Sequence, residues 1–166
     1  MPLSPALLRL CSSIPWCRID VLDSVLNLAQ EIAHAGGEDR RIGALFTVGR
    51  APDVLRLSRP LILDPLRGHG PAATHIDNPD LRGTVKMLAQ LDGAFVVADD
   101  GTVTTACRYL DVPTGNVDLP LGFGSRHIAA ASISKQLGIF AVVVSQSGVV
   151  RVFFDGALVD LTVAGT

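Results

Sequence analysis

Three segments of the chain carry apolar residues at the three- and four-residue steps of an amphipathic helix. The first extends from residue 19 to residue 32 and stops at the glycine pair 36–37, which predicts a helix with a glycine stop. The second begins at Asn78-Pro79, a capping residue followed by a proline at the first helical position. The third, residues 125–136, is rich in alanine and precedes Gly138, so a helix is predicted there as well.

Short apolar runs of β type lie between and after these helices. Residues 42–48 lack polar alternation, as is typical of a buried central strand. The Asp100-Gly101 turn predicts a β-hairpin of residues 94–98 and 102–107, because Asp-Gly supplies the positive φ of a tight turn. Three further runs predict a closing meander: 139–145, 149–154 and 157–163.

This alternation of helices and strands shows no internal repeat. It predicts an α/β fold, a single domain with a central mixed β-sheet flanked by helices, and we expect this domain to occupy residues 19–163. Residues 1–18 lack the basic start of a secretory signal and are predicted to form a loosely structured lead-in. The proline- and glycine-rich residues 60–74 predict a loop, which is a candidate lid.

The composition is that of one soluble domain with a substantial core. Of the 166 residues, 48% are hydrophobic and 18% are charged, with 14 Lys and Arg against 16 Asp and Glu and a net charge of −2. The slightly acidic balance and the absence of a basic run argue against a protein that mainly coats nucleic acid by neutralising phosphates, whereas a small anionic ligand is compatible with this composition. The apolar runs are far shorter than the ~20 residues that cross a bilayer, so no membrane segment is predicted.

The three cysteines predict no structural cross-link. Cys11, Cys17 and Cys107 are an odd number, form no CxxC pair and have no histidine at zinc-finger spacing. We therefore expect neither a disulfide framework nor a structural zinc site. A cytoplasmic location, where thiols stay reduced, fits this cysteine usage best.

The strongest local signal for chemistry is the turn Gly122-Phe-Gly-Ser-Arg-His127, which leads directly into the third helix. A helix N-terminus offers unpaired N–H groups and a partial positive charge. Gly124 lets a ligand approach the backbone, and an arginine adds a fork suited to phosphate oxygens. Phosphate binding is the functional interpretation. The alternative is that Ser125 caps the helix while Arg126 and His127 lie on a solvated face.

A second signal is Asp92-Gly-Ala94, which places an acid between the end of the second helix and a buried strand. A carboxylate at this position could bind a divalent metal or take a proton from a hydroxyl nucleophile. The alternative is an ordinary Asp-Gly turn. Taken alone, each of the two motifs leaves both interpretations open.

In combination the two motifs resemble a known family. Leu91-Asp-Gly-Ala-Phe-Val-Val97, followed about thirty residues later by Gly124-Ser-Arg-His127, is similar to the DGA and Gly-Thr-Arg-His-Arg motifs of the diadenylate cyclase (DAC) domain family. This is the nucleotide-binding domain type of the DNA-integrity scanning protein, and the resemblance is to its archaeal-like branch. Similarity extends to residues 41–49, 108–111 and 143–153, and overall to residues 19–161.

The resemblance implies a DAC-like fold and the synthesis of cyclic di-AMP from two ATP molecules, with release of two pyrophosphates. Two facing protomers of a homo-oligomer would each hold one ATP. Each ribose 3′-hydroxyl would then lie in line with the α-phosphate on the other protomer. The resemblance further implies a metal-dependent nucleotidyltransferase that uses Mg²⁺ or Mn²⁺, and no direct contact with nucleic acid is expected.

The same resemblance implies roles for individual residues. The catalytic residues would be Asp92, Arg126 and His127. The residues that bind ATP would be Gly93, Ala94, Leu110, Gly124, Ser125 and Arg126. Asp92 would assist deprotonation of the 3′-hydroxyl, Leu110 would pack against adenine, and the metal would be held by Asp92 and His127.

Three positions depart from the pattern of the family. Ser125 replaces a threonine and keeps the hydroxyl, Ile128 stands where many members have a second arginine, and Gln146 stands where many have a glutamate. The lost arginine and the lost acidic charge lead to an alternative hypothesis. In this alternative the chain is a catalytically weak or inactive sensor module that binds ATP or a cyclic dinucleotide.

Overall fold

Helices and strands alternate along the computed structural model, which describes residues 3–35 and 42–163. The helices are α1 (Pro5–Ser12), α2 (Ile19–Ala35), α3 (Ala51–Arg56), α4 (Pro79–Leu88) and α5 (Ser125–Leu137). The strands are β1 (Ala44–Val48), β2 (Ser58–Pro60), β3 (Ala94–Val97), β4 (Val103–Leu110), β5 (Phe140–Val144), β6 (Val149–Phe154) and β7 (Ala157–Val163).

The seven strands of the described residues form one mixed sheet with the order β2-β4-β3-β1-β5-β6-β7. Strand β1 lies at its centre, parallel to β3 and antiparallel to β5. The prediction of a central mixed sheet flanked by helices is confirmed. The predicted β3–β4 hairpin and the closing meander of β5, β6 and β7 are confirmed as well.

The sheet separates two layers of helices, and each layer covers its own apolar core. On one face, α1, α2 and α4 pack over Phe46 and Phe95, whose rings stack with their centroids 5.0 Å apart. On the other face, α3 and α5 pack over Leu45 and Ala94. Every residue of β1 is buried, which explains why this strand lacks the polar alternation of a half-exposed strand.

The predicted helices are confirmed, and local chemistry sets their ends. Helix α2 spans Ile19–Ala35, whereas its predicted glycine stop, residues 36–37, lies outside the described residues. Asn78 caps α4, because its Oδ1 accepts the backbone N–H of Asp80. Gly138 ends α5 in the left-handed conformation. Within the described ranges, no helix is both long enough and apolar enough to cross a membrane.

Two short elements were not predicted. Helix α3 begins after Arg50, whose φ of 49° lies in the left-handed region that a non-glycine residue rarely adopts. Strand β2 contains Pro60 at the edge of the sheet, where a missing N–H removes no central ladder hydrogen bond. The stretch after β2 consists mostly of turns, as predicted, and the buried side chain of Leu66 anchors it to the core.

The expectation of a loosely structured lead-in is wrong for the described part of residues 1–18. Ser4 caps α1 by accepting the N–H of Leu7 through its Oγ. Leu7 and Cys11, one helical turn apart, are fully buried against the core. Arg9 faces solvent, so it does not interrupt the buried face of this helix.

The expectation of no disulfide is also wrong. Cys11 and Cys17 are joined by a disulfide, with their Cα atoms 5.3 Å apart. Successive turns after α1, closed by N–H groups of Ile14 and Cys17, bring the chain back toward the helix. These turns bring Cys17 next to Cys11, and the spacing of the cysteines in the sequence does not reveal them. Cys107 is free and buried.

Candidate functional site

A cavity of about 540 Å³ opens at one end of the sheet. The beginnings of β1 and β3, the end of β4 with the loop that follows it, and the first turn of α5 form its walls. Its volume is in the range of small-molecule binding sites. Both motifs singled out in the sequence reach this cavity.

Gly93 positions Asp92 at the mouth of the cavity. Its φ is +105°, and a Cβ on this residue would lie 2.6 Å from backbone atoms of Cys107, so only glycine fits this close approach of β3 and β4. Asp92 projects outward, with 92% of its side chain exposed. The Asp-Gly pair therefore forms a sharp turn and also presents a carboxylate beside the cavity.

The N-terminus of α5 faces the same cavity without a side-chain cap. Gly124 is the N-cap residue and has no side chain to accept the N–H groups of the helix. Ser125 is the first residue of the helix, so the interpretation of Ser125 as its cap is wrong. Ser125 and Arg126 line the cavity. The cavity therefore contains both the partial positive charge of a helix N-terminus and the guanidinium of Arg126. Both groups bind phosphate oxygens favourably.

Arg126 reaches across the cavity mouth to Asp92. Its Nη2 lies 3.6 Å from Oδ1 of Asp92, and its guanidinium passes over Gly43. Because the Asp92 carboxylate is almost fully exposed, water screens the ion pair, and the pair stabilises the fold little. Both charges therefore stay available to a bound ligand.

The imidazole of His127 turns away from the cavity and is buried. Its ring stacks on Phe123 with centroids 5.0 Å apart and meets Phe153 edge-on. Its Nε2 lies 3.0 Å from Nη1 of Arg151. Burial lowers the pKa of His127 below its ordinary value, and the positive charges of Arg151 and Arg126 lower it further.

The metal ion implied by the resemblance fits Asp92 better than it fits His127. The described residues contain no group of three or more His, Cys, Asp or Glu side chains that could hold a metal ion. The exposed Asp92 carboxylate is an oxygen ligand of the kind that Mg²⁺ prefers, and Mg²⁺ usually takes its remaining ligands from substrate phosphates and water. The Nε2 of His127 faces a guanidinium and is not presented to a cation.

The structure brings together most of the predicted site residues. Those that line the cavity are Asp92, Gly93, Ala94, Leu110, Ser125 and Arg126. Gly124 adjoins them as the helix N-cap, whereas His127 is not part of the lining. Ile128, one of the departures from the family pattern, lines the cavity, and Gln146 does not.

Arg108 and Tyr109 form a wall of the cavity that neither sequence motif predicts. Arg108 donates from Nε to Oγ of Ser58 and from Nη2 to the backbone oxygens of Leu55 and Ser58, so it ties β4 to the edge of the sheet. The ring of Tyr109 is covered by Arg59, whose Cζ lies 4.6 Å from the ring centroid. The available signal was the presence of these two polar side chains directly after the predicted strand 102–107.

The two motifs meet at one cavity, in the order and on the elements that the resemblance requires. Residues 31–158 match the DAC domain family, described as "DisA bacterial checkpoint controller nucleotide-binding". The chain belongs to the DAC family. A protein of Methanocaldococcus jannaschii named diadenylate cyclase is 45% identical over 139 residues, and one of Haloferax volcanii with the same name is 36% identical over 141 residues.

These alignments take in most of this DAC-family chain and a smaller part of each relative. They cover 83% and 84% of the chain, against 44% of the M. jannaschii protein and 51% of the H. volcanii protein. The chain thus spans about half the length of the curated relatives that it matches.

Solved structures of low sequence identity share the fold. A DacA double mutant from Staphylococcus aureus is 23% identical, with a TM-score of 0.58 and 84% of each chain covered. A hypothetical membrane spanning protein from Bacillus cereus is 18% identical, with a TM-score of 0.62 over 87% of this chain and 64% of that chain. Both support the α/β fold of the DAC domain.

Proposed function

We propose that this DAC-family chain is a nucleotidyltransferase that condenses two ATP molecules into cyclic di-AMP and two pyrophosphates. In each transfer a ribose 3′-hydroxyl loses its proton and forms a bond to the α-phosphorus of the other ATP. The bond from that phosphorus to pyrophosphate breaks. The observation that carries the proposal is the meeting of Asp92 and Arg126, 3.6 Å apart, at the mouth of a cavity of about 540 Å³.

The cavity supplies the groups that nucleotidyl transfer needs. The first turn of α5 and Arg126 neutralise the charge that develops on the phosphate oxygens in the transition state. Leu110 offers an apolar wall to the adenine, while Gly93 and Ala94 shape the floor beside the nucleotide. Asp92 accepts the proton of the attacking hydroxyl.

The exposure of Asp92 supports a site shared between two protomers. In the single chain, 92% of this side chain is open to solvent, although efficient transfer to a hydroxyl benefits from the exclusion of water. A second protomer that faces the cavity mouth covers the carboxylate and delivers its own ATP ribose to it. We therefore include a face-to-face homo-oligomer in the proposal.

The proposal includes a divalent cation, Mg²⁺ or Mn²⁺. When bound, this ion supplies additional neutralisation of the triphosphate charge. Asp92 would provide an oxygen ligand for it, and the substrate phosphates and water would supply the others. We also propose a cytoplasmic location, because ATP is the proposed substrate. The cysteine usage no longer supports this location, since Cys11 and Cys17 form a disulfide.

The direct test is incubation of the purified protein with ATP and either Mg²⁺ or Mn²⁺, followed by mass spectrometry for cyclic di-AMP and a separate assay of pyrophosphate. Asp92→Asn keeps the shape of the side chain but removes its charge. We expect product formation to fall by about 100-fold or more, with ATP binding retained. Asp118→Asn changes an exposed acid outside the cavity lining and is the matched control. Absence of product from the unaltered protein with both metals would refute the cyclase proposal.

Ile128 favours a second candidate function, a sensor that binds ATP or cyclic di-AMP without turnover. Its apolar side chain lines the cavity at the position where the family pattern has a second arginine, so the phosphate end carries one positive charge fewer. Such a module gives a calorimetric binding signal but releases no pyrophosphate. In that case we expect Ile128→Arg to restore turnover.

A further inference from the structure

Arg151 on β6 contacts both sides of the turn that leads into α5. Its Nη1 lies 3.0 Å from Nε2 of His127, in the first turn of the helix. Its Cζ lies 4.9 Å from the ring centroid of Phe123, in the loop before the helix. Phe123 stacks on His127 with an angle of 15° between the ring planes. Side chains from a strand, a loop and a helix thus form one closed cluster.

The turn has little other support on its outer side. Apart from the adjacent residues of the chain, no atom lies within 4 Å of a Cβ placed on Gly122 or Gly124, and the side chain of Leu121 is fully exposed. In contrast, Arg151 belongs to a strand that is paired on both sides, with β5 and β7. A side chain on a rigid element is well suited to hold a flexible binding segment in place.

The chemistry of the contact decides which nitrogen of His127 carries the proton. A guanidinium donates hydrogen bonds and cannot accept them, so Nε2 of His127 accepts from Arg151. The neutral imidazole then carries its proton on Nδ1. With one nitrogen accepting a hydrogen bond and the other protonated, the ring has no free lone pair for a metal ion.

We propose that Arg151 is a positioning residue for the phosphate-binding turn. It holds His127 in the Nδ1–H form and Phe123 against β6, and it thereby directs Ser125 and Arg126 into the cavity. His127 serves in this arrangement as a tie between α5 and the sheet and not as a metal ligand. The consequence for ATP rests on the proposed function, whereas the form of the imidazole does not.

Nitrogen-15 NMR of protein labelled at histidine tests the contact directly, with His127→Gln used to assign the signal. We expect the Nδ1–H form in the unaltered protein. Arg151→Met keeps an apolar stem without a donor, and we expect it to move the proton to Nε2. Arg151→Lys keeps a donor and the charge and should retain the Nδ1–H form. Arg9→Met changes an exposed arginine of α1 and is the control, with an unaltered His127 signal.

Calorimetry with ATP and Mg²⁺ tests the positioning role. We expect Arg151→Met to weaken ATP binding by about tenfold, as loss of orientation does, and Arg151→Lys to recover most of that loss. In the nitrogen-15 NMR spectrum, addition of Mg²⁺ and ATP should cause no large change in the chemical shift of either His127 nitrogen, because direct coordination of a metal ion would cause one.

Three results would overturn the proposal. They are an Nε2–H form in the unaltered protein, a His127 signal unchanged by Arg151→Met, and an ATP affinity unchanged by that substitution. If thermal melting shows that Arg151→Met is unfolded, the unaltered protein and Arg151→Lys still decide the form of the imidazole. A protein that makes no cyclic di-AMP refutes the cyclase proposal, and the NMR result stands independently of it.

Discussion

Gly43 lies directly beneath the guanidinium of Arg126, and a Cβ on Gly43 would be 2.5 Å from Nη1 and 2.9 Å from Cζ. One residue immediately precedes β1 and the other is in the first turn of α5. The missing side chain at Gly43 leaves the space through which Arg126 extends toward Asp92. Position 43 therefore favours glycine, because a larger residue would clash with the side chain of Arg126 that passes over it.

The first prediction follows from this contact. We expect Gly43→Ala to displace Arg126 and to weaken ATP binding about tenfold. The free energy of unfolding should change by less than about 1 kcal/mol, because the clash is with the end of a flexible side chain. Calorimetry with ATP and denaturant melts measure the two effects. Gly70→Ala is the control, since no atom beyond the adjacent residues lies within 4 Å of its Cβ position. An unchanged ATP affinity in Gly43→Ala would mean that Arg126 does not bind phosphate in this position.

The second prediction concerns the N-cap of α5. Gly124→Asp supplies a carboxylate that accepts the N–H groups of the helix, which should raise the free energy of unfolding by a few tenths of a kcal/mol. The same carboxylate occupies the N–H groups offered to phosphate and repels it, so ATP affinity should fall by more than about tenfold. Gly124→Asn carries no charge and should show a smaller loss. Retention of full affinity by both variants would exclude this helix end as the phosphate site.

A network of charged side chains joins α2 to α4. Oε1 of Glu31 lies 3.1 Å from Nη2 of Arg82, and Oε2 of Glu31 lies 2.9 Å from Nζ of Lys86. Arg82 also donates to the backbone oxygens of Ser24 and Ile76. Partial burial raises the pKa of Glu31, but the hydrogen bonds from Lys86 and Arg82 outweigh it and hold this pKa below its usual value. The folded protein therefore binds this proton less tightly than the unfolded chain does.

The third prediction is the pH dependence of this network. A lowered carboxyl pKa stabilises the fold above the pKa of the unfolded chain, and this contribution is lost as the pH falls through the folded-state pKa. Glu31→Gln should therefore lower the free energy of unfolding at neutral pH, and its difference from the unaltered protein should shrink toward about pH 3. Denaturant melts across this range measure the difference, which salt should reduce because Glu31 is partly exposed. A difference that persists in acid would assign the effect to packing and not to charge.

The fourth prediction concerns the disulfide between Cys11 and Cys17. This bond closes a short loop at the end of α1, and its reduction should lower the free energy of unfolding by about 2 kcal/mol. Thermal melts with and without reductant test this, and a double variant with serine at both positions should not respond to reductant. Thiol titration in denaturant should find Cys107 alone before reduction. Three reactive thiols in the untreated protein would contradict the disulfide.

Much of the fold could be predicted because its signals are local. The cap at Asn78, the glycine at the end of α5 and the Asp100-Gly101 turn each act within a few residues of chain. Helix α3 and strand β2 could not be predicted, because Arg50 takes a left-handed conformation that a non-glycine residue rarely adopts and because Pro60 lacks the N–H of a regular strand residue. Tertiary contacts stabilise both elements.

The candidate site was predicted only in part, because the sequence reveals local motifs but not contacts between distant elements. The two motifs identify Asp92 and Arg126 through the types of residue and their order. Neither motif contains information about Arg108 or Arg151. Arg108 reaches the cavity from β4, and Arg151 reaches His127 from β6. Ser125 has the chemistry of a helix cap, but the helix begins one residue earlier than that role requires.

The sequence by itself determined where most helices and strands form and which residue types stand at the two motifs. Only the tertiary structure decided the sheet order, and with it the pairs Gly43–Arg126 and Arg151–His127 and the bond between Cys11 and Cys17. Periodicity specifies which side of an element becomes buried. It does not specify which other element that side meets, because that choice depends on the packing of the whole core.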